Sequence, residues 1–279
     1  MLTYFQAILL GLLQGVTELF PISSLGHSVL FPHIFGWDIN LDDSQFLSFI
    51  VLTHLATALV LLGFFWRDWL NIVSGVLRSL RARRIDAGDT YARLGWLLFV
   101  STIPAGLLGF LFEKRVQALF AAPIIIAGAL FLNGLALYFG EKLRRRSAEG
   151  ASDDSQIARI SWGNAARIGV LQCFALIPGF SRTGFTMIGG LFTGLSHENA
   201  ARYSFLMATP IILAAAILKV PHLFSGGAPL LGQAIVGALC SGVAAYISIR
   251  FLLKYFETKT LTPFAIYCMC AGAAFLILL

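Results

Sequence analysis

The chain has 279 residues, of which 58% are hydrophobic and 12% charged, with a mean hydropathy of +0.81. A soluble domain of this length cannot bury so much apolar surface, and the apolar stretches are too continuous for the alternating strands of a membrane barrel, so the composition points to a polytopic α-helical membrane protein. The formal net charge of +6 sits in a few segments between apolar stretches, as membrane topology distributes it, which argues for a bilayer and against nucleic acid as partner.

The N-terminal MLTYFQAILLGLLQ has no basic leader, and no cleaved signal peptide is expected. Residues 3–30 are apolar but interrupted by Glu18, Pro21, Ser23, Ser24, Gly26 and His27. Spans are expected near 47–66, 94–112 and 121–140. A second interrupted stretch, 165–192, carries Pro178, Gly179, Ser181, Arg182, Thr183 and Gly184. Spans near 203–220, 231–253 and 262–279 follow, the last only just long enough. Broken polar backbone at membrane depth is tolerated only where protein buries it or a wet cavity exposes it. Both interrupted stretches are therefore candidate re-entrant hairpins. Cys173, Cys240, Cys268 and Cys270 lie in apolar segments without a CxxC pair and read as small core residues, with no disulfide framework.

The two hairpins resemble each other. A shift of 158 residues lays GLLQGVTELFPISSLGHS over GVLQCFALIPGFSRTGFT, matching Gly11 with Gly169, Gln14 with Gln172, Ser23 with Ser181 and Gly26 with Gly184. Each hairpin precedes three predicted spans, the pattern of an internal duplication whose paired interruptions point at a binding site. Charge agrees. Basic residues gather in the expected loops 67–93 and 141–164 and at Lys254 and Lys259. Residues 1–46 and 220–230 have no Lys or Arg, and 113–120 only Lys114 and Arg115. The basic loops are cytoplasmic by the positive-inside rule. The first hairpin then enters from outside and the second from the cytoplasm, and three spans per half invert the second repeat. One integral-membrane domain over 1–279 results, with repeats at 1–140 and 161–279 and a polar joining loop at 144–160.

Two constellations carry chemistry. In QGVTELFPISSLGH, Gln14 and Glu18 share a helix face, Pro21 and two serines break the helix, and His27 follows Gly26. One carboxylate, hydroxyls and an imidazole come together there. An ionisable residue at membrane depth points to function. In PGFSRTGFT, Gly179 and Gly184 let the backbone turn and approach a ligand. Ser181, Thr183 and Thr186 supply hydroxyls, the following helix supplies free N–H groups, and Arg182 supplies a fork of donors for phosphate or carboxylate. The set describes an anion cradle. An Arg182–Glu18 ion pair that ties the hairpins together is the other reading of the same residues. Lesser features are His54 in FIVLTHLATALV, SHEN at 196–199 as a helix cap, and Arg250 near a span end.

These motifs resemble (E/Q)GxTEFLPxSSxGH and QxxALxPGxSRSGxT of the bacterial undecaprenyl-diphosphate phosphatases, the bacitracin-resistance family, and TPFAIY resembles its C-terminal region. The resemblance runs over nearly the whole chain. It implies six transmembrane helices plus two re-entrant helical hairpins in inverted-topology repeats. It implies a cytoplasmic-membrane location, a site facing outward, and hydrolysis of undecaprenyl diphosphate that recycles the lipid carrier for peptidoglycan synthesis. Glu18, Ser24, His27 and Arg182 fall on catalytic positions. Ser23, Ser181, Thr183 and Thr186 fall on phosphate-binding positions, and Gln14, Gly179 and His54 are further candidates for holding substrate. A divalent cation, Mg or Ca, is implied by the resemblance alone, with Glu18 as candidate ligand. Gln14 removes one carboxylate of the motif, and His54 stands where Gln is common.

On this reading Arg182 clamps a polyprenyl diphosphate while Ser24 or water attacks the terminal phosphorus, and Glu18 and His27 handle the proton. A transporter or flippase of polyprenyl phosphate lipid is the alternative, because broken helices in inverted repeats also build transporters. A second copy of the chain, as a homodimer, is a further candidate partner.

Overall fold

The computed structural model describes residues 2–37, 39, 44–144, 154–224 and 231–279. Among the described residues every regular element is a helix. In chain order these are α1 (Tyr4–Thr17), α2 (Ser24–Ile34), α3 (Ser44–Phe64), α4 (Trp66–Ala82), α5 (Thr90–Leu111) and α6 (Glu113–Ala118). Then come α7 (Pro123–Leu143), α8 (Asp154–Ala158), α9 (Trp162–Gln172), α10 (Arg182–Phe192), α11 (His197–Phe224), α12 (Leu231–Phe256) and α13 (Thr262–Leu278).

Five described helices are long and apolar enough to cross a membrane: α3, α5, α7, α11 and α12. The apolar α13 has 17 residues. At 1.5 Å per residue it is about 26 Å long, short of a hydrocarbon core of about 30 Å. It lies along α7, where Gly134 meets the backbone of Ala265.

Each interrupted stretch is helix, break, helix. The first runs α1 to α2 and reaches Ile34, beyond the expected 30. Thr3 and Gln6 cap each other's backbone at its start. α1 stops ahead of Pro21, which has no N–H to continue the ladder. Ser23 starts α2, its Oγ accepting from Gly26 N at 3.2 Å. In the second stretch, α9 begins at 162, and Gly179 turns the chain at φ 105°. Ser181 starts α10, its Oγ accepting from Gly184 N at 3.1 Å. The two caps are therefore the same device at the matching positions of the sequence repeat.

Packing repeats too. α1 lies against α12 so closely that a Cβ on Gly11 would overlap the carbonyl of Gly237. α9 lies against α5, where a Cβ on Gly169 would overlap the carbonyl of Ser101. Small residues let helix backbones approach when no hydrophobic force separates lipid from protein. α11 packs on α3, and α10 sits between α7, α9 and α11.

The basic segment 67–93 is largely helical, not a loop. α4 carries an apolar stripe of Trp66, Leu70, Val73, Leu77 and Leu80, spaced by three or four residues and exposed. Arg78 grips Asp89, the N-cap of α5, through Nε and Nη2, both at 3.1 Å. Ser196 caps α11 as expected, its Oγ accepting from Asn199 N. Of the joining loop 144–160, residues 145–153 lie outside the described residues. So do 225–230 of the stretch noted for its lack of basic residues.

Candidate active site

The two breaks meet. Ser23 Oγ accepts from Gly179 N at 3.2 Å, and Thr183 Oγ1 donates to Glu18 O at 2.9 Å. Asn133 of α7 joins both turns: its Nδ2 donates to Pro21 O at 3.1 Å, and its Oδ1 accepts from Ser181 N at 2.9 Å. Gly179 fits against α7 only because it lacks a Cβ, which would overlap Ile126 O.

This contact places the charges. Glu18 is buried just past the end of α1. Arg182 Nη2 donates to its Oε1 at 2.9 Å. Its Oε2 accepts from Ser24 Oγ at 2.5 Å and Gln14 Nε2 at 3.2 Å, and faces His54 Nε2 at 3.2 Å. His54 Nδ1 lies 2.8 Å from Ile50 O. Both ring nitrogens face oxygens that only accept, so the arrangement is fully met by the doubly protonated ring. Arg182 Nη1 donates to Ser204 O at 3.2 Å. A guanidinium has five N–H donors, so among the described residues these two bonds leave three.

A cavity of about 280 Å³ opens over these groups. Glu18, Ser23, Ser24, His54, Ser181 and Arg182 form its polar end. Leu25, Ile50, Val51, Phe180, Ile211 and Ile212 are among its apolar walls. Ser24 and Arg182 are the first residues of α2 and α10, so two helix N-termini converge there, each with free N–H groups and a positive dipole end.

The structure thus brings Glu18, Ser24, Arg182, Ser23, Ser181 and His54 to the cavity. Gln14, Gly179, Thr183 and Thr186 stand behind it. Gln14 supports Glu18, and Thr183 ties Glu18's own carbonyl. Thr186 Oγ1 reaches Arg182 O at 2.9 Å and Ser204 Oγ at 2.5 Å, so it braces α10 against α11. His27 does not reach the cavity. Its Nδ1 lies 2.6 Å from Ser23 O and its Nε2 2.8 Å from Tyr267 OH, with no exposed surface. The carbonyl requires the proton on Nδ1, so Nε2 accepts from the tyrosine. The ring holds the Ser23 peptide, whose φ of 69° is rare for serine. In this structure the ring therefore holds the turn and lies outside the described cavity lining.

Sequence reasoning did not single out Ser204, Asn133, Tyr267 or Gln172, which also lines the cavity. The backbone oxygen of Ser204 and the partners of Asn133 leave no local pattern. Gln172 had a signal, its match with Gln14.

Glu18 is the one carboxylate among the described cavity-lining residues, and both its oxygens are engaged. Among the described residues no three of His, Cys, Asp and Glu gather as metal ligands. This donor set does not fit a divalent cation held by the protein alone.

The fold and site define a multi-pass helical membrane protein built around a buried polar site at the junction of two broken helices. The chain belongs to the BacA family: residues 7–274 match the family described as Bacitracin resistance protein BacA. It is 48% identical to the undecaprenyl-diphosphatase of Mycolicibacterium paratuberculosis, over 99% of this chain and 97% of that protein. It is 44% identical to the undecaprenyl-diphosphatase of Acidiphilium cryptum (98% and 97% covered). It is 42% identical to undecaprenyl-diphosphatase 2 of Frankia alni (98% and 96% covered).

Proposed function

We propose that this protein hydrolyses undecaprenyl diphosphate to undecaprenyl phosphate and inorganic phosphate, the activity its relatives are named for, and so recycles the lipid carrier of peptidoglycan synthesis. One observation carries the reading. A serine hydroxyl donates to a buried carboxylate at 2.5 Å, an arginine holds the other carboxylate oxygen, and all three line one end of a cavity with apolar walls. The charged head of a lipid diphosphate fits the polar end, and the start of its prenyl chain fits the apolar walls.

The reaction runs in two steps. Arg182 and the N-termini of α2 and α10 hold the terminal phosphate and stabilise the charge that develops on it. Ser24 passes its proton to Glu18, and Oγ bonds to the terminal phosphorus. The bond from that phosphorus to the bridging oxygen breaks, and undecaprenyl phosphate leaves with the electron pair. Water then attacks the phosphoserine phosphorus and the bond from phosphorus to Ser24 Oγ breaks. Oγ takes back the proton held by Glu18, and the protons of the water leave with inorganic phosphate, which restores the serine and the carboxylate. His54 and Gln14 keep the Glu18 carboxylate in place. A carrier needs the cradle but not a base in short contact with a hydroxyl, which favours hydrolysis over transport.

The membrane layout belongs to this reading: six spans, with α13 as the sixth, and two re-entrant hairpins in inverted repeats. The equal 158-residue offset of the serine caps and of the glycine contacts supports it. The basic α4, the C-terminal end of α7, and Lys254 and Lys259 mark the cytoplasmic side. The cavity residues of α11, Ile211 to Ala216, lie toward its far end, which supports a site open to the outer face of the cytoplasmic membrane.

The test is phosphate release from undecaprenyl diphosphate by purified protein in detergent, compared with Arg182→Ala. Release abolished by the substitution is expected. A folded wild type that releases none overturns hydrolysis, and lipid phosphate movement in vesicles is then the assay for transport.

A further inference from the structure

One polar cavity side chain has neither a hydrogen-bond partner among the described residues nor a part in the reaction so far. Gln172, the last residue of α9, is 1% exposed and lines the same cavity as Glu18, Ser24, His54 and Arg182. Neither its Oε1 nor its Nε2 has a hydrogen-bond partner among the described residues. Burying an amide with both groups unmet costs free energy, and folded proteins keep such a group where something else satisfies it.

The repeat explains why this amide is free. Gln14 holds the matching place in the first hairpin, and its Nε2 donates to Glu18, four residues on. Four residues after Gln172 stands Leu176, another cavity wall. The second hairpin therefore keeps the amide and lacks the carboxylate that would engage it. What remains is a buried donor and acceptor without a partner among the described residues, on a residue that lines the same cavity as Arg182.

We propose that Gln172 is a phosphate-binding residue. Its Nε2 donates to a non-bridging oxygen of the diphosphate, and its Oε1 accepts from a hydroxyl of the same phosphate group. The proposal rests on the reading of this cavity as the diphosphate site. It explains how one cavity uses two copies of a hairpin differently. The first copy spends its glutamine on the base, and the second spends its glutamine on the substrate.

The test compares wild type, Gln172→Leu and Gln172→Glu as full-length protein in detergent, reading kcat, KM and the thermal unfolding midpoint. Leucine keeps the volume and removes the unmet amide. Its unfolding midpoint is expected to equal or exceed that of wild type. Its kcat/KM is expected to fall about tenfold, equivalent to about 1.4 kcal/mol, mostly through KM. Glutamate repels the diphosphate and is expected to lower kcat/KM about a hundredfold. A Leu variant within twofold of wild type overturns the proposal. So does one whose activity and melting temperature fall together, because that marks a structural role. If wild type releases no phosphate, hydrolysis fails as a reading, and the amide is judged by thermal stabilisation with inorganic diphosphate. Stabilisation of wild type but not of Gln172→Leu supports the proposal; equal stabilisation, or none, overturns it.

Discussion

Glu18→Gln separates the two tasks given to the carboxylate, because it keeps the shape and removes the charge. Four groups address Glu18: Arg182 at 2.9 Å, Ser24 at 2.5 Å, and Gln14 and His54 at 3.2 Å. An amide offers one oxygen to these donors and turns its own N–H₂ toward the rest, so donors face donors. Breaking a buried ion pair by removing one partner costs about 3–5 kcal/mol. Arg182 keeps its bond to Ser204 O, so the lower end, about 3 kcal/mol, is expected as a fall in thermal stability. Loss of a general base costs about 10²–10⁴ in rate. The expected outcome is a kcat at least about a hundredfold lower, with KM changed little, because the arginine that grips phosphate remains. The assay is turnover at saturating lipid, well below the melting temperature, normalised to protein shown folded by circular dichroism. A kcat within about tenfold of wild type refutes Glu18 as the base, and an unchanged melting temperature refutes the buried pair as a source of stability.

Further outcomes follow from packing and from the donor set. Gly169→Ala and Gly11→Ala each force a methyl into a neighbouring helix backbone and are expected to cost about 1–3 kcal/mol. Gly163→Ala, whose Cβ would meet open space, is the control, and equal melting temperatures for Gly163→Ala and Gly169→Ala contradict the close approach. Asn133→Leu leaves Pro21 O and Ser181 N without their strap, which at about 1–3 kcal/mol for each unmet group lowers the melting temperature and kcat together. A stable, fully active variant contradicts the strap. Calorimetric titration of substrate-free protein with calcium is expected to show no binding tighter than about 0.1 mM, and a micromolar site contradicts the donor set described here.

The hairpins were legible because their breaks use chemistry that local sequence displays: proline, a serine cap, and glycine where a turn or close contact needs it. The pairing of Glu18 with Arg182 was legible as one of two readings, and the structure joins the two, since the ion pair itself stands in the cavity. What stayed hidden comes from tertiary contact. The carbonyl of Ser204 and the reach of Asn133 across both turns involve backbone atoms that every residue has. His27 lies in the same motif as Glu18, yet helix α2 points its ring at Ser23 O and Tyr267, 240 positions further along the chain. α4 was missed for a different reason. Its arginines drew attention as loop charge, while the spacing of Trp66, Leu70, Val73, Leu77 and Leu80 already carried a helical period.

The central claim is that Ser24, activated by Glu18, attacks the phosphorus gripped by Arg182. The most direct test is rapid quenching of wild type and Ser24→Ala with undecaprenyl diphosphate labelled at its terminal phosphate, followed by mapping of any label on the protein. The account predicts transient label on Ser24 in wild type, and neither label nor turnover in the alanine variant. Full turnover without labelled protein at any quench time, or an active Ser24→Ala, contradicts it.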